Sequence, residues 1–350
     1  CPVFRLPSLP MAAASSAGST NSQVNKARKR LSIVSANTLA DGLSHATIED
    51  EAQQSEGVSG FESPFVSIYG GKSVKGYAPY NPSKANQDCF IAQSYDQSLI
   101  LCVMDGHGEN GEIVSGFLKE IWPDLLASHP EFYTDVPTAL RDSIATAEQE
   151  LLKHKDYSKM VDFSGTTFVA AVVRDDDMWV ANIGDSRITK ATRTPNGAFR
   201  AEAMSEDHKP DLPAEKARIL EKGGRVFAVT YDDGIDGPHR VWLKNMDIPG
   251  LAMSRSLGDT VAHSAGVISD PEITHSKLTS DTAFLVLASD GLWEFMDDQC
   301  VVDMVAQNQT DDTETICQKL IDEAKKRWMD EEEVVDDTTV ILVHMQGFPE

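Results

Sequence analysis

The chain has 350 residues, with 31 Lys and Arg against 55 Asp and Glu, for a formal net charge of −24. So acidic a surface repels phosphate backbones, which excludes nucleic acid as the main partner. With 41% hydrophobic and 25% charged residues the composition is that of an ordinary globular protein with at least one sizeable core, which excludes disorder throughout.

Residues 1–60 are rich in Ser and Ala, contain no Trp or Tyr, and carry five basic and five acidic residues. A core cannot be built from that, so a flexible leader is expected here, in part an extension outside the folded unit. The folded body then begins at Phe61 and holds the whole negative excess, 26 basic against 50 acidic residues. Within the leader, Lys26-Ala27-Arg28-Lys29-Arg30 has the composition of a nuclear address; the blander reading is a solvated charge run in a tail. No apolar run approaches the ~20 residues a membrane helix needs, and no charged-then-apolar signal segment opens the chain. Membrane insertion is therefore not expected, and the expected location is intracellular, cytoplasmic and, through the basic cluster, nuclear. The five cysteines (Cys1, Cys89, Cys102, Cys300, Cys317) are odd in number, scattered, and without a C-x-x-C pair, which suits free thiols in a reducing compartment.

Along the body, hydrophobic periodicity predicts strands over Ser98–Met104, Thr166–Val173, Met178–Ile183, Ala283–Ala288 and Thr338–His344, all short runs dense in Val, Ile, Leu and Phe. Helices are predicted where Val114, Phe117, Leu118, Ile121 and Leu125 recur, where Leu140, Ile144, Ala147 and Leu151 recur, and around Ile316, Leu320 and Ala324. Another is expected over Asp211–Lys222, with a proline near its start and Gly223-Gly224 at its end. No internal repeat is evident, so residues 61–350 read as one large mixed domain.

Carboxylates recur where these strands begin and end: Met104-Asp105-Gly106, Ile183-Gly184-Asp185, Ser289-Asp290-Gly291, Asp88 before a short apolar run, and Asp336-Asp337 before the last strand. Taken singly, each is an ordinary turn or cap aspartate. Taken together, they would meet in one place only if cations neutralised them. All-oxygen ligation suits Mg²⁺ or Mn²⁺, and a two-metal hydrolytic site is the inference.

Seven blocks carry a resemblance: Val103-Met104-Asp105-Gly106-His107-Gly108, Ser164-Gly165-Thr166-Thr167, Asn182-Ile183-Gly184-Asp185-Ser186-Arg187, Asp207-His208-Lys209-Pro210, Leu251–Asp259, Ser289-Asp290-Gly291-Leu292-Trp293-Glu294 and Asp336-Asp337-Thr338-Thr339-Val340. In this order, over roughly residues 60–345, they resemble the metal-dependent serine/threonine protein phosphatases of type 2C. The resemblance implies an α+β fold, a central β-sandwich of two antiparallel sheets flanked by helices on both outer faces, with the metal site at one end. It implies that Asp105 bridges two Mg²⁺ or Mn²⁺ ions and that Gly106 adds its carbonyl. It further implies that Asp88 holds metal-bound water, that Asp290 and Asp336 bind the second ion, and that Asp185 serves a weaker third. Glu294 stands where many members carry an aspartate for that third ion, and Gln87 stands where some carry a glutamate. The arginine that holds substrate phosphate in some members is replaced by Ser83, with Lys84 beside it as the candidate phosphate contact.

Two cations sharing a bridging ligand lower the pKa of water and offset phosphoryl charge, so no phosphoenzyme is needed. A seryl or threonyl oxygen is a poor leaving group, and His107, two residues after Asp105, is placed to protonate it. Arg187 and Arg255 read as structural ion-pair residues. The segment Val226–Pro249 is long for its position next to the family's flap; it is expected to act as a loop selecting protein substrates, with Trp242 as an anchor. The expectation is a monomeric phosphatase acting on phosphorylated proteins. The alternative from another class is an inactive phosphatase-like binding module; a two-metal nuclease or nucleotidase fits the carboxylates but not the ordered blocks.

Overall fold

The computed structural model describes residues 53–54, 63, 65–230 and 236–346. The leader expected over 1–60, apart from Gln53 and Gln54, and the basic cluster at 26–30 lie outside the described residues. Two antiparallel sheets stack face to face. The first has the order β1-β2-β16-β15-β8-β9, from β1 (Gln53–Gln54), β2 (Val66–Val74), β8 (Arg187–Arg193), β9 (Phe199–Ala203), β15 (Thr282–Ala288) and β16 (Thr338–Met345). In the second, β4 (Ser98–His107) pairs with β3 (Asp88–Tyr95) on one side and with β6 (Phe168–Arg174) on the other, and the sheet continues through β7 (Asp177–Ile183) to β14 (Glu272–Lys277). The far end of β4 pairs with β5 (Gly165–Thr166), which in turn pairs with β13 (Leu257–Gly258).

Antiparallel strands that are apolar at every position require cover on both faces. In β4, Leu99, Leu101 and Val103 face the other sheet and meet Leu285, Leu287, Ile341 and Val343, while Ile100, Cys102 and Met104 face outward. That outer face is covered by α1 (Gly111–Ala127) and α2 (Val136–Lys153) through Leu118, Trp122, Leu140 and Ile144. On the opposite side Phe284, Val286, Val340 and Leu342 pack against α6 (Asp298–Gln307) and α7 (Thr313–Glu331) through Val302, Ile316 and Leu320. The result is four layers, helix, sheet, sheet, helix, as the resemblance implied. Among the described residues no helix is long and apolar enough to cross a membrane, and Cys89, Cys102, Cys300 and Cys317 are free thiols.

Trp122 shows how tightly the first helical layer is joined: it is fully buried, packs edge-on to Phe168 at 4.8 Å, and donates its Nε1–H to Ser143 Oγ at 3.1 Å. Trp122→Ala is expected to cost about 3–5 kcal/mol, read as a lowered urea midpoint with an unchanged slope; a shift below about 1 kcal/mol would mean that the cavity collapses.

The remaining elements differ from expectation in instructive ways. β2 passes through Gly70-Gly71, which hides it from a periodicity reading; a Cβ on Gly71 would lie 2.8 Å from the Phe90 ring of the facing sheet. α3 (Pro213–Glu221) falls inside the predicted Asp211–Lys222, with Pro213 in its first turn. The segment 226–249, expected to be a loop, folds largely into a three-stranded antiparallel sheet of β10 (Arg225–Thr230), β11 (Asp236–Trp242) and β12 (Pro249–Leu251). Ile219 of α3, Val241 and Leu251 form its core with Met253. Two short helices, α4 (Thr260–His263) and α5 (Asp290–Trp293), complete the described elements.

Candidate active site

Sheet register brings the carboxylates together. Asp88 opens β3 directly opposite Asp105 near the end of β4. β4 does not stop at Met104: Gly106 and His107 continue the strand, because β5 pairs with them. Between β5 and β6 the pairing is interrupted at Thr167, whose Oγ1 accepts the Asp105 N–H at 3.0 Å. In the other sheet the end of β15 lies beside the start of β16, with Ala288 opposite Val340, so Asp290 and Asp336 flank the same edge. The sheets are tied at this end by side chains. Ser289 Oγ donates to Asp88 Oδ2 at 2.7 Å and accepts the Thr339 N–H at 3.0 Å. Asp337 accepts the backbone N–H groups of Gly76 (2.7 Å) and Gln87 (2.8 Å).

Crowding these acids has an electrostatic cost. Burial, reinforced by the charges of Asp337 and Asp336, pushes the Asp88 carboxyl up to about 7, although Ser289 and Thr339 oppose the shift. Burial also holds Asp105 well above the usual carboxylate range, and the charges of Asp88, Asp290 and Asp336 add to it. Asp290 is raised for the same reason, by burial and then by Asp185 and Asp336, with Lys209 opposing. Burial raises Asp336 too, against the pull of Lys84. Asp88 Oδ1, Asp185 Oδ1 and Asp290 Oδ1 are buried without a hydrogen-bond partner. Orphaned buried anionic oxygens are costly and rare, and they are what a hard cation satisfies. The donor set therefore fits Mg²⁺ or Mn²⁺. Among the described residues no three His, Cys, Asp or Glu side chains already close into a cage; instead two lysines supply the countercharge. Lys84 Nζ lies 3.1 Å from Asp337 and 3.5 Å from Asp336. Lys209 Nζ lies 2.5 Å from Asp185 Oδ2.

Gly106 can only be glycine: a Cβ there would sit 2.5 Å from the carbonyl oxygens of Gln87 and Gly111. His107 is buried beside it, and its Nε2 is 2.5 Å from Asp259 Oδ2, which also accepts a hydrogen bond from Ser256 Oγ at 2.7 Å. Burial alone would lower the imidazole pKa, but the charge and hydrogen bond of Asp259, with Asp185 behind them, bring it above its ordinary value.

The family model for protein phosphatase 2C matches residues 80–331. The chain belongs to the protein phosphatase 2C family. "Probable protein phosphatase 2C 35" of Arabidopsis thaliana is 33% identical over 301 residues, covering 81% of this chain and 85% of that protein. "Probable protein phosphatase 2C 72" of the same plant is 35% identical over 276 residues, covering 75% and 82% respectively. The crystal structure of serine-threonine phosphatase 2C from Toxoplasma gondii superposes with a TM-score of 0.70 at 23% identity, over 84% of this chain and 99% of that one, a likeness of fold. Membership makes the chain a protein phosphatase of a metal-dependent, serine/threonine-directed family.

Within this phosphatase, Asp88, Asp105, Gly106, His107, Asp290 and Asp336 come to one end of the sandwich. Asp185 and the half-buried Glu294 border them, both adding to the negative potential at Asp290. The Gln87 amide is engaged outside the aspartate cluster: its Nε2 donates to Gly108 O at 2.8 Å and to the Glu112 carboxylate at 3.1 Å. Arg187 binds Asp207 through two hydrogen bonds of 2.9 and 2.8 Å, and Arg255 binds Glu215 at 2.9 Å, so both are the ion-pair residues expected. Trp242 is not an exposed anchor; it is 7% exposed, stacks on Phe227 at 5.0 Å, and donates its Nε1–H to Phe227 O. An indole that stiffens β10 against β11 is spent on the flap itself. Four contributors had no role assigned from sequence: Ser289, Asp337, Lys209 and Asp259. Each lies inside a quoted motif block, but each acts on a residue remote in the chain.

Proposed function

We propose that the chain hydrolyses phosphoserine and phosphothreonine in proteins by direct attack of water, with divalent cations held by Asp88, Asp105, the Gly106 carbonyl, Asp290 and Asp336. The observation that carries this is Asp105, raised well above the usual carboxylate range by burial and by the charges of three further aspartates, two of which keep an unpartnered oxygen. When bound, Mg²⁺ or Mn²⁺ supplies the Lewis-acid charge that activates water and offsets the phosphoryl oxygens. The chain's own part is positional and acidic. Ser289 and Thr167 fix Asp88 and Asp105, the first through a side-chain oxygen and the second through the backbone N–H. As water adds to phosphorus and the bond to the serine or threonine oxygen breaks, His107 delivers a proton to the departing oxygen. Retention of all these carboxylates supports an active enzyme over a silent binding module.

Lys84 enters the reading as the phosphate-side cation, its ammonium shared with Asp336 and Asp337. The three-stranded flap, with Phe227, Met246 and Ile248 exposed, borders the groove for protein substrates. Free thiols at the four described cysteines support an intracellular location, and a monomer suffices because every proposed group comes from one chain. The test is hydrolysis of a phosphothreonine peptide with Mn²⁺, expected to vanish in EDTA and return with excess metal. Activity that survives chelation would overturn the metal reading, and an unchanged KM in Lys84→Ala would remove Lys84 from the substrate site.

A further inference from the structure

We propose that Lys209 is a tethered cation serving the Asp185 position, so that Asp185 is neutralised from within the chain and a divalent ion reaches it only by displacing the ammonium. The inference rests on the reading that Asp88, Asp105, Asp290 and Asp336 bind metal, and it reassigns the site that the resemblance gave to a third ion.

Asp185 is 2% exposed, so its charge needs a partner, and Lys209 Nζ meets its Oδ2 at 2.5 Å. The lysine stem is about a third exposed and reaches inward from the surface. What distinguishes this pair from an ordinary surface ion pair is the way both backbones are pinned. His208 N donates to Gly184 O at 2.9 Å, and Gly184 N donates back to His208 Nδ1 at 3.1 Å. Burial lowers the His208 imidazole to about 4, so at neutral pH it is uncharged and free to accept that bond. Asn182 Nδ2 holds Glu206 O at 2.8 Å, Ser254 N holds His208 O at 2.8 Å, and Asp207 is locked onto Arg187. The residues flanking Asp185 are thus fastened to those that precede Lys209, and the ammonium meets the carboxylate from a backbone already held in place. Burial opposes the lysine charge, but the charges of Asp185 and then Asp290 more than restore it.

A preset single charge at one carboxylate competes with any free ion there. Losing one charge-assisted hydrogen bond to a buried acid changes an equilibrium roughly ten- to a hundredfold. The experiment counts Mn²⁺ bound to the full chain by electron paramagnetic resonance of the free ion, for the unaltered protein, Lys209→Met, Lys209→Arg, Asp185→Asn and the double variant Lys209→Met/Asp185→Asn. The unaltered protein is expected to bind two ions in the tight range. Lys209→Met is expected to bind a further ion roughly ten- to a hundredfold more tightly than the unaltered protein does, Lys209→Arg to match the unaltered protein, and the double variant to lose the gain. Asp185→Asn alone should leave the two tight ions unchanged, and this variant keeps the test open if Lys209→Met fails to fold. A Lys209→Met titration that matches the unaltered protein, or loss of a tight ion in Asp185→Asn, would overturn the inference while leaving the two-metal reading intact. Absence of tight Mn²⁺ from the unaltered protein would overturn that reading and the inference with it.

Discussion

Asp105→Asn is expected to abolish phosphatase activity and, in EDTA, to make the protein more stable than the unaltered chain. The first half follows from its place among the proposed metal donors: loss of an outer partner of a ligand already costs roughly 10–100-fold, and a shared donor should cost more. The second half separates a metal site from a structural ion-pair network. Asp105 lies where the charges of Asp88, Asp290 and Asp336 converge, and burial gives them little screening. Removing its charge relieves that repulsion in the metal-free state. The sign with pH is defined by Asp88, raised from 3.8 to about 7 by burial and by Asp337. An acid that keeps its proton longer in the folded state than in the unfolded one imposes no penalty below the unfolded pKa; the penalty grows as pH rises through the interval and is complete above the folded pKa. The melting temperature of metal-free protein should therefore fall between about pH 4 and pH 7 from this source, each pH step of one across that interval costing about 1.4 kcal/mol. Mn²⁺ should flatten that slope, and Asp105→Asn in EDTA should reduce it. A metal-free Asp105→Asn protein that melts below the unaltered one at pH 7.5, and still binds Mn²⁺, would sink the account.

How much of this was legible in sequence depends on where each residue finds its partner. The strands β4, β6, β7, β15 and β16 and the helices α1, α2 and α7 were readable because their burial is written into local apolar runs, and α3 because a proline and a glycine pair mark its ends. β2 was not, since its two glycines mark close approach by Phe90 and Thr313 from two other layers, and nothing near Gly70 records that. β9 and β14 are edge strands, the first with charged residues at alternate positions and the second polar everywhere but Ile273, and α6 begins in an acidic stretch, so their apolar signal is thin. The flap was visible as an unusual segment but not as a sheet, because its pairing partners alternate basic, apolar and polar residues. In the site, the aspartates were legible by their positions at strand ends. The long-range ion pairs were not: Lys209 reaches Asp185 across 24 residues, and Asp259 reaches His107 across 152. The second of these pairs exists only once β5 has bridged β4 and β13, which places the turn carrying Asp259 alongside the last residue of β4.

That bridge leads to the second large effect, on proton transfer. His107→Ala is expected to lower turnover of a phosphothreonine peptide by roughly 10²–10⁴-fold, with little loss on p-nitrophenyl phosphate, whose phenolate leaves without a proton. Asp259 determines which nitrogen does the work. With Nε2 engaged at 2.5 Å, Nδ1 is the ring nitrogen not committed to Asp259. The Asp259 charge and hydrogen bond also outweigh burial and raise the imidazole pKa, which favours the protonated ring that a general acid needs. A general acid works only while protonated; turnover of the peptide should therefore fall as pH rises through the His107 pKa, and that fall should lie above the ordinary histidine range near 6.5. Asp259→Asn removes the charge while keeping the shape and a hydrogen-bonding oxygen. It should move the alkaline limb to lower pH and lower kcat for the peptide more than it raises KM, with p-nitrophenyl phosphate hardly affected. A purely structural role for Asp259 would depress both substrates equally and leave the limb where it was. Equal losses on the two substrates in both variants would remove His107 from proton transfer and leave the buried pair as a brace between β4 and the turn that follows β13.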